Sequence, residues 1–477
     1  MSSLPYRPAT NPRRIAYLSY STAEFDSRSH RMARSSVEAG DTVTIYARWE
    51  PGLPFAEDRA GYRIIRVPFE LRMAIPGLRA SGRRRLAQRL STTAAPNPPT
   101  ASFGGVVGEA HPTDQRPRTL VARARRFAAR SRQGEVPLSP VVNIGLDLAL
   151  APRRWYQRLI IFPLRPMAWA VALEDTARPA DIWHGMWAGS LPALARLRRR
   201  HGGSTVYDSR DIYLHARLFD QMAAPWRRVY RSIERHWARS ADRVITVNDA
   251  YADILVDVLG VERPLVVMNC PERWLPPEPR PNLIRERLGL PASTAVVLYQ
   301  GNLMTERGIE QAMDAILDVP DAALVLMGYG GSRDEYTARA AEASYAGQVR
   351  LLDPVPPDEL LPWTASADIL VMAIQPTTLN HRFTTPQKLF EALAAGVPVV
   401  ASDLPGMAPI VSAIEFGELC DPTSPAAIAA AIRSILARSP AERADLRTRG
   451  LAAAHDTYNW ESQLVVLRGL YAGLAGR

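Results

Sequence analysis

Short apolar segments alternate with amphipathic segments along both halves of the chain. The apolar run RIAYLSY begins at Arg14, and the stretch SHRMARSSVEAGDTVTIYAR after it predicts a helix, a stop at Gly40 and a strand. The alternation resumes at Asp181, where the apolar pieces DIWHG, STVYDS, RVITVN and PLVVMN are separated by stretches with helical spacing. Strands that alternate with helices predict a parallel sheet covered by helices.

The second half repeats this pattern after a proline-rich segment. Residues 271–282, PERWLPPEPRPN, contain five prolines and predict a stiff linker between two domains. The apolar pieces AVVLYQGN, AALVLMGYG, VRLLDPV, ADILVMAI and VPVVAS follow. We therefore predict an α/β protein with two Rossmann-like parallel-sheet domains, spanning residues 12–275 and 283–450.

Positive charge is concentrated in one part of the first domain. The 477-residue chain has a net charge of +10, and residues 79–136 supply +9 of it with twelve arginines against three acids. The composition, rich in Arg, Ala, Pro, Ser and Gly, predicts a disordered or weakly ordered insert at about 79–140. We expect no nucleic-acid partner, because such proteins usually carry their basic patch on a folded face. Attraction to anionic lipid head groups and a merely solvated loop both remain open.

Targeting and redox signals are few. No segment is apolar enough to span a membrane, and the N-terminus lacks the apolar core of a signal peptide. Cys270 and Cys420, the only cysteines, argue against a disulfide framework or a cysteine metal site. These features predict a cytoplasmic protein.

Lys388 is the only lysine in the chain and lies in TTPQKLFEALAAGVPVV. Thr385 is suited to cap a helix there, and Gly396 to end it. The first turn of a helix favours anions, so an ammonium at Lys388 predicts a diphosphate site. Glu391 shares its face and is suited to accept hydrogen bonds from ribose hydroxyls. The alternative is a surface salt bridge, which arginine would serve equally well.

Two further loops follow strands of the same domain. One, YQGNLMTERG, carries Gly301, Asn302, Arg307 and Gly308; the other, LVLMGYGGS, carries Gly328, Gly330 and Gly331. Glycines and an arginine at strand ends are typical of phosphate-binding loops. Three such segments in one domain predict a nucleotide site at the carboxyl edge of its sheet.

These motifs resemble the retaining nucleotide-sugar glycosyltransferases of family four, which have the two-domain GT-B fold. The likeness is strongest from Val296 to Ser402, in QGN…ERG, MGYGGS, ADILVMAI and PQKLFEALAAGVPVVAS. The N-terminal half matches more loosely, through DIWHG, VYDSRD, SIER, ADRVITVN and VVMNCPE, and is similar to a subgroup serving bacterial surface polysaccharides and glycolipids. The ending YNWESQLVVLRGLY resembles the family's last helix, which places a helix crossing back to the N-terminal domain within residues 451–477.

The resemblance implies a division of labour between the domains. The C-terminal domain would bind a UDP- or GDP-sugar, and the N-terminal domain a lipid-linked or saccharide acceptor. The sugar would be transferred with retention of configuration, without a metal or other cofactor. Arg307 and Lys388 would act on the diphosphate and Glu391 on the ribose, and Thr385 and Leu389 complete the predicted donor site. The enzyme would be cytoplasmic and could be peripheral at the inner face of the plasma membrane.

One position departs from the family pattern. Many members carry two glutamates separated by seven residues; the second is Glu391, but Phe383 stands where the first would be. That glutamate lies near the donor hexose in the family. The neighbouring His381 and Arg382 are the candidates to replace it.

Candidate acceptor residues lie at strand ends of the first domain. His184 is predicted to contact the sugar or the acceptor, with a packed strand-end histidine as the alternative; a second histidine of the family is Met186 here. Asp208 and Asp211 would line the cleft or cap the next helix. Asn269 is expected to satisfy linker backbone.

Residues 139–173 mix arginines with aromatic side chains, including Trp155 and Trp169. This composition suits a stretch at a membrane surface that holds a lipid-linked acceptor, and it also suits an ordinary helix with buried aromatics. The two interpretations remain open.

Two other functions fit the same fold. A UDP-sugar epimerase would turn over the nucleotide sugar without an acceptor. A non-catalytic partner, suggested by Phe383, would bind the donor without turning it over.

Overall fold

Two helix-covered sheets form the chain, as the alternating pattern predicts. The computed structural model describes residues 12–24, 26–92, 164–216, 219, 224–345 and 347–475. Residues 271–282, between the last strand of one sheet and the first strand of the other, form neither helix nor strand.

The N-terminal sheet has eight strands in the order β3-β4-β2-β1-β5-β6-β7-β8. All neighbours pair in parallel except β3 and β4, an antiparallel edge pair. Ala60 and Gly61 connect that pair, both with positive φ, as tight hairpin turns require. The strands are β1 (Arg14–Ser19), β2 (Thr42–Arg48), β3 (Ala56–Arg59), β4 (Tyr62–Val67), β5 (Ile182–Met186), β6 (Ser204–Ser209), β7 (Arg243–Thr246) and β8 (Leu265–Val266).

The central strands of this sheet are buried on both faces, since successive side chains point to opposite faces and both are covered. Ala16 and Leu18 of β1 pack in one apolar cluster, and Ile15 and Tyr17 in another. The α-helices in the described part of this domain are α1 (Ser27–Glu38), α2 (Arg79–Thr92), α3 (Arg165–Thr176), α4 (Leu191–His201), α5 (Ala224–Ala238) and α6 (Asp249–Leu259).

The prediction of a disordered or weakly ordered insert is wrong for residues 79–92. Arg79–Thr92 forms α2, whose Arg83 is paired with Asp175 of α3 at 2.8 Å, so this part is ordered. The rest of the predicted insert, from residue 93 to about residue 140, lies outside the described residues.

The aromatic segment is described only from residue 164 onward. There it forms α3, and Trp169 is fully buried against the N-terminal sheet. For Trp169 the buried-helix interpretation is therefore correct, and the membrane-surface interpretation is wrong. Trp155 lies outside the described residues.

The C-terminal sheet has six parallel strands in the order β11-β10-β9-β12-β13-β14. Its central strands are buried on both faces, which is typical of parallel sheets. The strands are β9 (Ala295–Asn302), β10 (Ala322–Tyr329), β11 (Val349–Leu352), β12 (Ile369–Met372), β13 (Val399–Ser402) and β14 (Gly417–Cys420).

Helices cover both faces of this sheet as well. The helix of the lone lysine, α12, packs Leu389, Phe390 and Leu393 against one face. The helices are α7 (Leu283–Leu288), α8 (Ile309–Ile316), α9 (Arg333–Ala340), α10 (Leu360–Ala365), α11 (Leu379–Phe383), α12 (Gln387–Ala395), α13 (Ala408–Ile414), α14 (Pro425–Leu436), α15 (Pro440–Asp456) and α16 (Trp460–Ala475).

The last helix, α16, crosses back to the N-terminal domain. Trp460 Nε1 donates to Ser35 Oγ at 2.8 Å, and Tyr471 packs among residues of β1 and β5. The crossing segment is shorter than the predicted 451–477, because residues 451–456 complete α15 within the C-terminal domain. Asn459 accepts from Ser462 N at 2.8 Å, which starts α16.

Candidate functional site

The carboxyl ends of the strands in the C-terminal sheet bring the predicted donor residues together. Gly301 of β9 and Gly328 of β10 lie side by side in the ladder. A Cβ atom on Gly328 would lie 1.8 Å from the Gly301 carbonyl oxygen, so this approach requires glycine. Gly301 is exposed, and Lys388 Nζ would lie 3.9 Å from a Cβ placed on it. Gly301 and Gly328 thus leave a stretch of backbone without side chains beside Lys388, which we call the glycine floor.

Gly308 and Gly330, two of the other predicted glycines, allow close backbone packing. A Cβ on Gly308 would lie 1.8 Å from Ala373 O, and one on Gly330 would lie 2.3 Å from Leu303 O. Gly331 has no neighbour that a Cβ would meet within 4 Å. Asn302 is half-buried, and its Oδ1 accepts no hydrogen bond.

Lys388 lies in the first turn of α12. The residue is half-buried, and its ammonium nitrogen is 3.8 Å from the centroid of the Tyr299 ring, at cation–π distance. Burial, and then the neighbouring Arg307 guanidinium, lower the pKa of Lys388 to about 7, against an opposing effect of Glu391. Within the described part of the chain, no carboxylate lies at ion-pair distance from either cation. Arg307 disfavours the charged form of Lys388 and Glu391 offsets this only in part, so an anion bound beside both basic side chains would stabilise them.

Glu391 is buried and held from both sides. Its Oε1 accepts from Gln387 Nε2 at 2.8 Å and its Oε2 from Gln300 Nε2 at 2.6 Å. Thr364 Oγ1 donates to Gln300 Oε1 at 2.8 Å and so fixes that amide. Burial raises the pKa of Glu391 more than these hydrogen bonds and the nearby cations lower it. Each carboxylate oxygen keeps a further acceptor position.

Thr385 and Leu389 do not have the roles that the sequence predicted for them. Pro386, not Thr385, occupies the cap position of α12, and Thr385 Oγ1 instead donates to Gly406 O at 2.6 Å. Leu389 is fully buried in the core, so its side chain does not face the donor site. The predicted end at Gly396 is confirmed by its left-handed conformation.

Phe383 lies at the boundary between the domains. It packs, with Leu379, against Ile212, Val247 and Tyr251 of the N-terminal domain. An apolar residue fits this environment, which gives a physical reason for the departure from the family pattern.

The two candidates to replace the missing glutamate are differently placed. His381 Nδ1 lies 3.0 Å from Thr377 Oγ1 and 4.0 Å from a Glu306 carboxylate oxygen. Arg382 is exposed, with its guanidinium 6.0 Å from the Phe383 ring centroid. Glu306 has a positive φ of 68°, an unusual conformation for a residue with a side chain.

His184 is not an exposed cleft residue. It is the third residue of the five-residue strand β5 and is fully buried. Its Nδ1 is 2.7 Å from Tyr471 Oη of the crossing helix, and its Nε2 is 3.8 Å from an Asp208 oxygen, too far for a hydrogen bond. Burial lowers the pKa of His184 more than Asp208 raises it. The packed-histidine alternative describes this environment.

Asp208 neither lines the cleft nor caps a helix. It is fully buried and ion-paired with Arg28 of α1, at 2.8 Å. Burial alone would raise the pKa of Asp208, but Arg28, His184 and Arg210 together hold it below its usual range. Such a pair fixes α1 to the sheet, since removing one partner would leave a buried charge.

Asp211 and Asn269 do lie where the domains meet. Asp211 is half-buried, and its Oδ1 accepts from Asn380 Nδ2 of the C-terminal domain at 3.0 Å. Asn269 Nδ2 donates to Gln387 Oε1 at 2.8 Å, and Asn269 Oδ1 accepts from Arg31 at 3.1 Å. Asn269 therefore bridges side chains of both domains, where only linker backbone was expected.

Sequence reasoning missed several residues of the site. Gln300 and Gln387 orient Glu391, while Asn248 and Asn380 bond across the domain boundary. Amide side chains carry no periodic signal, and their partners are distant in the sequence. Asn248 alone, directly after the strand in RVITVN, could have been recognised as a helix cap.

Comparison with known sequences gives a family match over the domain that contains this site. Residues 282–451 match the family described as Glycosyl transferases group 1, which identifies the C-terminal domain as a domain of this type. D-inositol 3-phosphate glycosyltransferase of Acidothermus cellulolyticus is 29% identical over 253 residues, 49% of this chain and 53% of that protein. The enzyme of the same name from Corynebacterium glutamicum is 31% identical over 198 residues, 39% of this chain and 45% of that protein. The chain spans about half the length of these curated relatives.

Solved structures resemble the whole chain. Sucrose-phosphate synthase from Thermosynechococcus elongatus is 18% identical, with a TM-score of 0.63 over 97% of this chain and 99% of that one. Anabaena HepE in complex with UDP is 14% identical, with a TM-score of 0.59 over 97% of this chain and 100% of that one. The predicted GT-B fold is thereby confirmed.

Proposed function

We propose that this chain, with its GT-B fold and a C-terminal domain of the group 1 type, is a retaining glycosyltransferase. It moves a sugar from a UDP- or GDP-sugar to a lipid-linked or saccharide acceptor, in the synthesis of a cell-surface polysaccharide or glycolipid. HepE has been solved with UDP and with UDP-glucose, which supports a nucleotide-sugar donor here.

The pair of neighbouring basic side chains beside the glycine floor, Lys388 and Arg307, carries this proposal. Lys388 and Arg307 lie at the carboxyl edge of a parallel sheet, where ligands of such folds bind. The exposed backbone of Gly301 leaves room for a ligand beside the ammonium. Glu391, one turn further along α12, offers oriented carboxylate oxygens to ribose hydroxyls.

The chemistry follows from where charge develops. Breaking the bond between the sugar and the diphosphate places negative charge on the leaving phosphate. Lys388 and Arg307 would stabilise this charge more in the transition state than in the ground state, which lowers the barrier. With two cations in this role, we propose that no metal is required.

The acceptor would enter between the domains. Asp211 is the predicted acceptor residue that lies at this boundary, and one of its carboxylate oxygens is already bonded to Asn380. Retention follows, in this proposal, from attack on the face that the diphosphate leaves, with the leaving phosphate helping to take the acceptor proton.

A basic surface of the N-terminal domain supports attachment to anionic lipid. Ile75 and Leu78 are 44% and 41% exposed just before α2, and Arg84 and Arg85 of α2 are exposed as well. Exposed apolar side chains and exposed arginines within one short segment suit the surface of an anionic membrane. In the described part of the chain, no helix has the length and apolarity needed to cross a membrane.

Thermal unfolding with UDP, GDP, ADP and dTDP tests the donor site first, on wild type and on Lys388→Ala. A diphosphate that binds only the folded protein raises its melting temperature. We expect one diphosphate to stabilise wild type and the effect to shrink in the mutant. If no diphosphate or nucleotide sugar stabilises wild type, the proposed donor site is wrong.

Turnover separates transfer from the two other functions. The stabilising nucleotide's sugar should be consumed only when an acceptor is present, and D-inositol 3-phosphate is one acceptor to include. Turnover without acceptor would instead identify an epimerase. Binding without turnover for any acceptor would indicate a non-catalytic partner.

A further inference from the structure

The short helix α11 joins the two domains directly beside the donor site. Leu379 and Phe383 of this helix pack against an apolar surface of the N-terminal domain, formed by Ile212, Val247 and Tyr251. Only three residues separate α11 from α12, which carries Lys388. A shift of α11 would therefore be transmitted to the start of α12.

Among the described residues, all hydrogen-bond partners of the Asn380 side chain belong to the N-terminal domain. Its Oδ1 accepts from Ile212 N at 2.8 Å and lies 2.8 Å from Tyr251 Oη, and its Nδ2 donates to Asp211 Oδ1 at 3.0 Å. The residue is 8% exposed. Separating the domains would break these contacts together, because none of the partners belongs to the C-terminal domain.

Asn248 makes the matching contact from the N-terminal domain. Its Oδ1 caps α6 by accepting from Tyr251 N at 2.7 Å. Its Nδ2 donates to Phe383 O at 2.9 Å and to Thr385 Oγ1 at 3.0 Å. Phe383 ends α11 and Thr385 lies in the connection to α12, so each domain contributes one buried asparagine to the boundary.

A third contact across the boundary reaches Glu391 through the side chain of Gln387. Asn269 Nδ2 donates to Gln387 Oε1 at 2.8 Å, and Gln387 Nε2 donates to Glu391 Oε1 at 2.8 Å. The carboxylate proposed to bind ribose is therefore oriented by an amide that is itself bonded across the boundary.

We propose that Asn380 and Asn248 are positioning residues that couple closure of the domains to the geometry of the donor site. When the boundary forms, they fix the start of α12 and with it Lys388 and Glu391. When it opens, α11 loses its partners and the donor residues lose their support. The identity of the ligand, a nucleoside diphosphate, rests on the proposed function. The closure of the domains does not, because it is argued from the contacts at the boundary.

The pairing of Asn380 with Asp211 allows a test by exchange. In Asn380→Asp, two carboxylates face each other across the boundary, and their repulsion opens it. In the double variant Asn380→Asp/Asp211→Asn, the amide and the carboxylate are exchanged, and every hydrogen bond of the boundary can form again. Asp211→Asn alone keeps an acceptor oxygen toward Asn380 and serves as the control.

Closure is measured by energy transfer between dyes on Glu262→Cys and Glu335→Cys, two exposed positions in different domains. The native Cys270 and Cys420 are buried, so they do not compete for label. We expect lower transfer in Asn380→Asp without ligand, and recovery in the double variant. Unchanged transfer in Asn380→Asp, or no recovery in the double variant, would overturn the proposal.

Donor binding is measured on the same proteins with the diphosphate that stabilises wild type. We expect Asn380→Asp to bind it about 10-fold more weakly, the effect of losing one to two net hydrogen bonds, and the exchange to restore it. Weaker closure with unchanged binding would refute the coupling. If wild type binds no nucleotide, the proposed function fails and the coupling with it, while the dye measurement still decides whether Asn380 closes the domains.

Discussion

At the scale of single residues, Lys388 fills a place that arginine would fill differently. Its ammonium lies 3.8 Å from the centroid of the Tyr299 ring and close to Gly301. A compact point charge fits such a gap beside a glycine floor, whereas a planar guanidinium is longer and donates in a fixed fork. Arg307 already supplies the fork at this site, so the two cations have different tasks.

The pKa of Lys388 predicts that donor binding depends on pH. In the free protein this pKa is lowered to about 7 by burial and Arg307. A diphosphate favours the charged ammonium and raises the pKa, so binding takes up a proton. Affinity should be constant below the free pKa and fall by up to about 10-fold per pH unit above it. Calorimetry between about pH 6 and 9, in two buffers of different ionisation enthalpy, measures both the affinity and the proton uptake.

The control for this effect is Lys388→Arg, which stays charged throughout that range. A nucleotide sugar is the right ligand, because its bridged diphosphate does not titrate near neutrality. We expect the variant to lose both the pH dependence and most of the turnover. Near-normal turnover in Lys388→Arg would end this explanation of the lone lysine.

Substitution of Phe383 gives a further prediction at the scale of single residues. Phe383→Glu restores the residue type of the family, yet it places a carboxylate among Ile212, Val247 and Tyr251. A charge without a partner against this apolar surface is unfavourable, so transfer activity and melting temperature should both fall. Phe383→Leu should keep most of both. A gain of activity in Phe383→Glu would show that the donor sugar reaches this position.

At the scale of elements, the glycine floor sets how closely β9 and β10 approach. Gly328→Ala would place a Cβ 1.8 Å from Gly301 O, a contact that the strands must separate to relieve. Overpacking of this kind costs about 1–3 kcal/mol. We expect a lower melting temperature and weaker nucleotide binding, measured by calorimetry. Gly331→Ala is the matched control in the same loop, where a Cβ meets nothing within 4 Å, and equal losses in both variants would contradict this role for Gly328.

The sequence predicted the donor elements better than the acceptor elements. Strand ends, glycine loops and the first turn of α12 are local features, and Gly301, Arg307 and Lys388 do converge. His184 and Asp208 share the strand-end pattern but are buried, because Tyr471 and Arg28 cover them. Which strand-end residue remains accessible depends on segments that are distant in the sequence.

At the scale of the whole molecule, the basic surface predicts binding to anionic vesicles. Arg84→Glu/Arg85→Glu should weaken cosedimentation with such vesicles, since each arginine near the surface contributes about 1 kcal/mol. Nucleotide binding should be unaffected, because α2 lies on the N-terminal domain. Arg287→Glu/Arg443→Glu makes the same charge change at exposed positions of the C-terminal domain. Equal losses in both variants would mean that only net charge matters, and unchanged binding would place the membrane role elsewhere.

The sequence alone determined the two parallel α/β domains, the segment that separates them and the location of the donor loops. Hydrophobic period, glycine and proline act over a few residues, so they can be read locally. Only the tertiary structure decided that His184 and Asp208 are buried, that Phe383 belongs to the domain boundary and that two asparagines join the domains. Burial and hydrogen bonding depend on partners brought together by folding, and no local pattern specifies those partners.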